Sequence, residues 1–296
     1  VVSPPAFPLE SPEAVWRLLE GERYVAEEGL ATAIFLALRL GRPLLLEGEP
    51  GVGKTEVARV LAQGLGVPLF RLQCYEGLEL EQALYEWDHA RQLLEVRLLE
   101  ALGERDRERL HRSIYREEFL LKRPVLQALE VGRAVLLIDE VDRTDEAFEA
   151  FLLEVLSEFQ VSVPELGTIR APFRPAVVLT SNRTRELHDA LRRRCVYYWI
   201  DYPSLEKELR IVHLRLPELP ARLAEGLVRL VQAVRGLGLL KPPGVAEALD
   251  LGSALVAAGA GDLDPRVLEP FLGALLKTRE DVERVRERLP SLLAAL

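Results

Sequence analysis

An α/β fold is predicted, with a mostly parallel sheet followed by a smaller all-helical region, and three observations carry that prediction. Five short apolar runs rich in β-formers alternate with helical patterns. The first of them leads directly into a glycine-rich loop and a helix. From Ser204 onward the hydrophobic period is helical only. Runs that are continuously apolar, rather than alternating, are what strands buried on both faces look like.

The 296 residues are 49% hydrophobic and 29% charged, enough for a packed core. A formal net charge of -9 repels a phosphate backbone, which disfavours nucleic acid as a partner. Cys74 and Cys195 are far apart and form no C-x-x-C, as expected of a reducing, cytoplasmic setting. The apolar run Leu30–Leu38 is too short to cross a bilayer, so no membrane insertion is expected. Asn182 is the single asparagine and methionine is absent, a depletion that fits a heat-adapted source.

In chain order, residues 1–10 read as an extended, proline-rich segment. Helices follow at Ser11–Glu20, where Pro12 takes the first helical position, and at Glu27–Arg39. The first strand, Leu44–Glu47, runs into Gly48-Glu49-Pro50-Gly51-Val52-Gly53-Lys54-Thr55-Glu56. Its glycines let successive N–H groups turn inward toward an anion, and the helix starting near Lys54 adds its positive dipole end. The pattern G-x-x-x-x-G-K-T between strand and helix is a phosphate loop. In it Lys54 serves the β/γ-phosphates of a nucleotide, and the Thr55 hydroxyl can sit on Mg²⁺.

The second strand is Leu69–Gln73. The stretch Leu78–Glu130 reads as mostly helical, and its charge run, Glu104–Arg116, is either a solvated face or an insertion that meets a partner. The third strand, Ala134–Asp139, is five apolar residues ending in Asp139, with Glu140 next in the chain. Asp139 is expected to serve Mg²⁺ and Glu140 to orient the attacking water. Gln160–Arg170 alternates as a hairpin does, with Gly167 near its tip. The fourth strand, Ala176–Ser181, delivers Asn182, whose amide can reach a γ-phosphate or form an Asx-turn. Arg192, Arg193 and Arg194 precede the fifth strand, Val196–Ile200. They can cap helix carbonyls or project a finger into a neighbouring subunit. After Tyr202-Pro203 only helices are expected: Leu205–Leu216, Pro220–Gly236, Val245–Ala258, Pro265–Leu276 and Arg279–Ala295. The resulting division is 1–10 extended, 11–202 an αβα domain and 203–296 a helical domain.

The glycine loop, Ile138-Asp-Glu-Val-Asp-Arg143, Phe151-Leu-Leu-Glu-Val-Leu-Ser-Glu158, Thr180-Ser-Asn182 and the arginine cluster occur in that order. Together they resemble the MoxR family of AAA+ ATPases, over a span from about Tyr24 to the C-terminus. The resemblance implies strand order 5-1-4-3-2, a helical lid, and a ring, usually a hexamer. It implies Lys54 and Thr55 as Walker A, Asp139 and Glu140 as Walker B, and Asn182 as sensor 1. Arg194, then Arg193, is implied as arginine finger, with Tyr24 and Val25 in the adenine pocket and the hairpin facing the pore.

The lid departs from that pattern. Relatives often carry Ser-Pro-Arg there, whereas this chain reads Lys241-Pro-Pro-Gly-Val-Ala-Glu247, with Lys241 the nearby cation. The variant is similar to the branch linked to carbon monoxide dehydrogenase maturation (CoxD-like). The expectation is an ATP hydrolase acting as a chaperone-like remodelling factor, with a von Willebrand A domain protein and a client metalloenzyme as partners. A nucleic-acid or restriction-type NTPase and a nucleotide-gated scaffold are the alternatives.

Overall fold

The computed structural model describes residues 7, 9–103, 106–163 and 166–295. The expected extended segment at residues 1–6 and 8, two positions of the charge run (104 and 105) and two of the hairpin (164 and 165) lie outside the described residues. The five expected strands are all present: β1 (Leu44–Gly48), β2 (Leu69–Gln73), β3 (Val135–Asp139), β4 (Ala176–Ser181) and β5 (Val196–Ile200). They form one sheet in the order β2-β3-β4-β1-β5, the reverse reading of 5-1-4-3-2. The pairs β1–β4, β2–β3 and β3–β4 are parallel. The central strands β1, β3 and β4 are buried along their whole lengths, as continuous apolar runs predict.

The chain divides into two compact units. One comprises residues up to Leu18, Glu27–Glu47 and Ala58–Tyr198; the other comprises Leu19–Ala26, Gly48–Val57 and Trp199–Leu296. The division therefore differs from a single cut after residue 202, because the phosphate loop groups with the helical region. The core of the first unit gathers Leu45, Leu129, Leu136, Ile138, Phe148, Leu152 and Leu179. That of the second gathers Leu223, Leu227, Val231, Leu251, Leu255, Leu272 and Val285. Each such leucine contributes about 1.5–3 kcal/mol by leaving water.

Two local features differ from expectation, and a third agrees with it. The stretch between β2 and β3 carries helices at His89–Ala101, Arg107–Ile114 and Pro124–Val131, but also a two-stranded antiparallel pair, Tyr85–Trp87 with Leu120–Lys122. Three-residue strands are too short to show a period of two. The expected helix Pro265–Leu276 is broken into Pro265–Leu268, a 3₁₀ turn Glu269–Phe271 and Leu272–Leu275. Pro270 has no N–H to give to an i–4 carbonyl, so the turn tightens there. The hairpin forms as Gln160–Val163 against Gly167–Arg170, and Gly167 takes φ +86°.

Candidate functional site

At the C-terminal edge of the sheet, a set of side-chain hydrogen bonds fixes two carboxylates. Asp139 ends β3 and is buried. Its Oδ1 accepts from the Thr180 hydroxyl on β4 at 2.5 Å; its Oδ2 accepts from Arg71 Nη2 on β2 at 2.6 Å. The same Thr180 oxygen accepts from the Glu140 N–H at 2.9 Å. One hydroxyl thus ties both acidic residues to the neighbouring strand. Glu140 stands at φ +56°, a left-handed conformation uncommon for a side-chain-bearing residue. That turn carries Glu140 out of the strand, and its partly exposed carboxylate meets Arg143 Nε at 2.8 Å.

Asp142 is buried one turn further on, and its Oδ2 receives Asn182 N–H at 3.2 Å, Thr184 N–H at 2.8 Å and Thr184 Oγ1 at 2.7 Å. The backbone at Asn182 is thereby held against the segment that follows β3. Glu47 at the end of β1 faces Ser181 in register, is buried, and accepts from the Tyr197 hydroxyl at 3.1 Å. Burial, with Glu47 beside it, pushes the Tyr197 phenol above its usual range. Cys74, just past β2, is buried and pushed up to about 12, first by burial and then by Asp139, Asp142 and Glu140.

The arginines sit on a short helix, Asp189–Arg194, capped by His188. Its start is tied down by the His188 N–H to Glu149 Oε2 at 2.7 Å, and Glu149 also pairs with Arg185. Arg194 Nη1 donates to the Leu153 carbonyl at 2.9 Å, Arg193 lies 3.9 Å from Asp189, and Arg192 sits over the Tyr197 ring.

In the other unit, the phosphate loop leaves β1 at Gly48, which lies so close to the Ile200 carbonyl that a Cβ would stand 2.2 Å from it. Gly51 and Gly53 take φ +76° and +95°, conformations that side chains resist. Val52 is buried; Glu49 and Pro50 are exposed. Lys54 opens the helix Lys54–Leu65, is buried, and donates from Nζ to the Gly48 and Glu49 carbonyls, each at 2.7 Å. Its ammonium is thus folded back over the mouth of the loop. Thr55 and Glu56 follow in the first turn, and Glu56 pairs with Arg215. Half-buried Tyr24 donates its N–H to the Leu19 carbonyl at 3.0 Å, and Val25 is buried. Lys241 is exposed, with its N–H held by Asp281 Oδ2 at 3.0 Å. Two main-chain donors and Thr278 keep that carboxylate ionised below its ordinary range, against burial, which pushes it up.

Among the described residues no cluster of three or more His, Cys, Asp or Glu side chains could hold a metal by itself. A hydroxyl at Thr55 and a carboxylate at Asp139 are hard oxygen donors, the kind that suit Mg²⁺ shared with phosphate and water. Sequence reasoning missed Arg71, Thr180, Asp142 and Glu47 as supports. The signal for two of them was present: a charge inside Leu69-Phe-Arg-Leu-Gln73 and a hydroxyl inside an apolar run at Leu179-Thr180.

Residues 43–195 match the family model described as the AAA domain, dynein-related subfamily. The denitrification regulatory protein NirQ of Pseudomonas aeruginosa is 27% identical over 68% of this chain and 70% of its own. Protein NorQ of Paracoccus denitrificans is 28% identical over 86% of each chain. A RuvB structure from Thermotoga maritima is 18% identical, with a TM-score of 0.49, over 89% of this chain and 69% of its own. No helix among the described residues is long and apolar enough to cross a membrane.

Proposed function

Because this chain belongs to the AAA family, in its dynein-related subfamily, we propose that it is a Mg²⁺-dependent ATP hydrolase that works in a homo-oligomeric ring to remodel a client protein. The observation that carries the reading is that one chain holds two sets of residues, each built within its own unit. One is a glycine loop with buried Lys54 at the start of a helix; the other is a buried Asp139 followed by a partly exposed Glu140. The loop N–H groups and the helix dipole bind the phosphates, and Lys54 exchanges its loop carbonyls for phosphate oxygens. Mg²⁺, when bound, neutralises charge on the phosphates. Thr55 and Asp139 are the residues that would hold it. Both Asp139 oxygens already accept hydrogen bonds, which suits a role through water.

Glu140 accepts a proton from the attacking water once its carboxylate leaves Arg143. Asn182 orients that water or the γ-phosphate, its backbone held by Asp142. Arg194, with Arg193 as the alternative, stabilises the transferring phosphoryl in the next subunit, and must first release the Leu153 carbonyl. Tyr24 and Val25 line the adenine side. Lys241 adds a point charge near the nucleotide. The ring is a hexamer.

The similarity to NirQ, whose name describes regulation of denitrification, supports a role beside another enzyme system. The MoxR resemblance supports a metalloenzyme client of the carbon monoxide dehydrogenase kind, a von Willebrand A domain partner and a cytoplasmic site. The test is phosphate release from Mg·ATP, with and without duplex DNA. Release that DNA leaves unchanged is expected. No release would reduce the protein to a nucleotide-gated scaffold, and strong stimulation by DNA would make it a nucleic-acid motor.

A further inference from the structure

The helix Val245–Ala257 begins at a glycine whose own backbone does not call for one. Gly244 has φ -85° and ψ -169°, an extended conformation open to any residue. What excludes a side chain is its neighbour. A Cβ on Gly244 would lie 2.7 Å from the α-carbon of Gly51 and 2.8 Å from both its carbonyl carbon and oxygen. From the other side, a Cβ on Gly51 would stand 3.0 Å from the Gly244 α-carbon and 2.9 Å from Glu247 Oε2. Two main chains therefore touch where two glycines meet. The Val245 N–H completes the contact by donating to the Gly51 carbonyl at 2.9 Å.

The helical region fixes this point from behind. Arg235 donates to the Pro243 carbonyl at 2.7 Å. Its guanidinium is held by Glu208 through two bonds of 2.6 and 2.7 Å, and Gln232 bonds the same carboxylate at 2.7 Å. Arg235 and Glu208 are both buried, so the pair is a rigid support and not a surface ion pair. Glu247 receives the Gly244 N–H at 2.9 Å, closing the turn.

We propose that Gly244 is a positioning residue for the phosphate loop, acting through main-chain contact with Gly51. In a trans peptide the C=O and the following N–H point in opposite directions. Pinning the Gly51 carbonyl toward Val245 therefore turns the Val52 N–H to the opposite side of the loop. The helical region thus sets the aim of an anion-binding N–H with no cationic side chain at the contact. The proposal rests on the reading of residues 48–55 as a phosphate cradle. It assigns the coupling to Gly244, three residues beyond Lys241.

Two variants test it. Gly244→Ala places a methyl against main chain that has no room to give, and Val245→Pro removes the donor, at a helix position that tolerates proline. Gly261→Ala is the control, since nothing lies within 4 Å of a Cβ there. Affinity for a fluorescent ATP analogue and for ADP, together with thermal midpoint, is measured on each full-length protein. Each test variant is expected to lose roughly fivefold to tenfold in affinity, the worth of one hydrogen bond with its geometry. The loss falls equally on ATP and ADP, because the cradle does not depend on the γ-phosphate. Val245→Pro decides the matter if Gly244→Ala does not fold. A lowered midpoint with unchanged affinity for both nucleotides would overturn the proposal and leave Gly244 a packing residue. Wild-type protein that binds neither nucleotide would instead remove the phosphate-cradle reading.

Discussion

At the sheet edge, Asp139 is held by side chains from both neighbouring strands, Arg71 on β2 and Thr180 on β4. At the phosphate loop, Gly51 is held by main chain, through the Val245 N–H and the bare α-carbon of Gly244. The first arrangement fixes carboxylates by satisfying their lone pairs. The second fixes N–H groups by fixing the peptides that carry them. Side-chain scaffolds tolerate backbone variation but depend on each donor. A main-chain scaffold is indifferent to most side chains and fails when a methyl is added. The difference separates the proposed tasks as well: the loop serves binding and the sheet edge serves turnover.

The sharpest way to break that division is Lys54→Ala. Truncating a buried charge that meets phosphate costs about 2–5 kcal/mol, so nucleotide affinity should fall on the order of 100-fold. A titration giving wild-type affinity would end the assignment of binding to the loop. Asp142→Ala should act on the other side. It strands the N–H groups of Asn182 and Thr184 and the Thr184 hydroxyl, at about 1–3 kcal/mol of stability. Turnover should drop more than nucleotide affinity does; equal losses would show that the two regions are not separable.

Thr180→Val keeps shape and removes one hydroxyl that serves both Asp139 and Glu140. A loss of roughly tenfold in kcat with little change in ATP affinity is expected, about one hydrogen bond to a charged group. The smallest effect concerns Cys74, whose raised pKa of about 12 comes from burial and the three nearby carboxylates. The neutral thiol stabilises the fold below its ordinary pKa, and that contribution is lost as pH rises through about 12. Alkylation at pH 8 should be slow in the native protein. Asp142→Ala should speed it and Lys54→Ala should not; a reversed pattern would place the perturbation at the wrong region.

The same contrast explains what could be read from residues alone. Five strands were legible because short continuous apolar runs alternate with helical patterns, the three central ones being buried along their whole lengths, and their order followed from the family resemblance that the motifs carry. The three-residue strands at Tyr85–Trp87 and Leu120–Lys122 were not, since their pairing spans a long insertion and no local period betrays it. Asp139, Glu140, Lys54 and Asn182 stand out by residue type and spacing. Arg71 and Thr180 could have been found as polar residues inside apolar strands. Gly244 could not: its partner is Gly51, far away in the chain, and a glycine in an extended conformation carries no local signature.

The division of labour is tested most directly by Glu140→Gln, with ATP affinity and phosphate release measured on the same preparation. Affinity within about twofold of wild type is expected, together with release slowed by roughly 10²–10⁴, the usual worth of a general base. Unchanged release, or affinity lost as severely as in Lys54→Ala, would contradict that division.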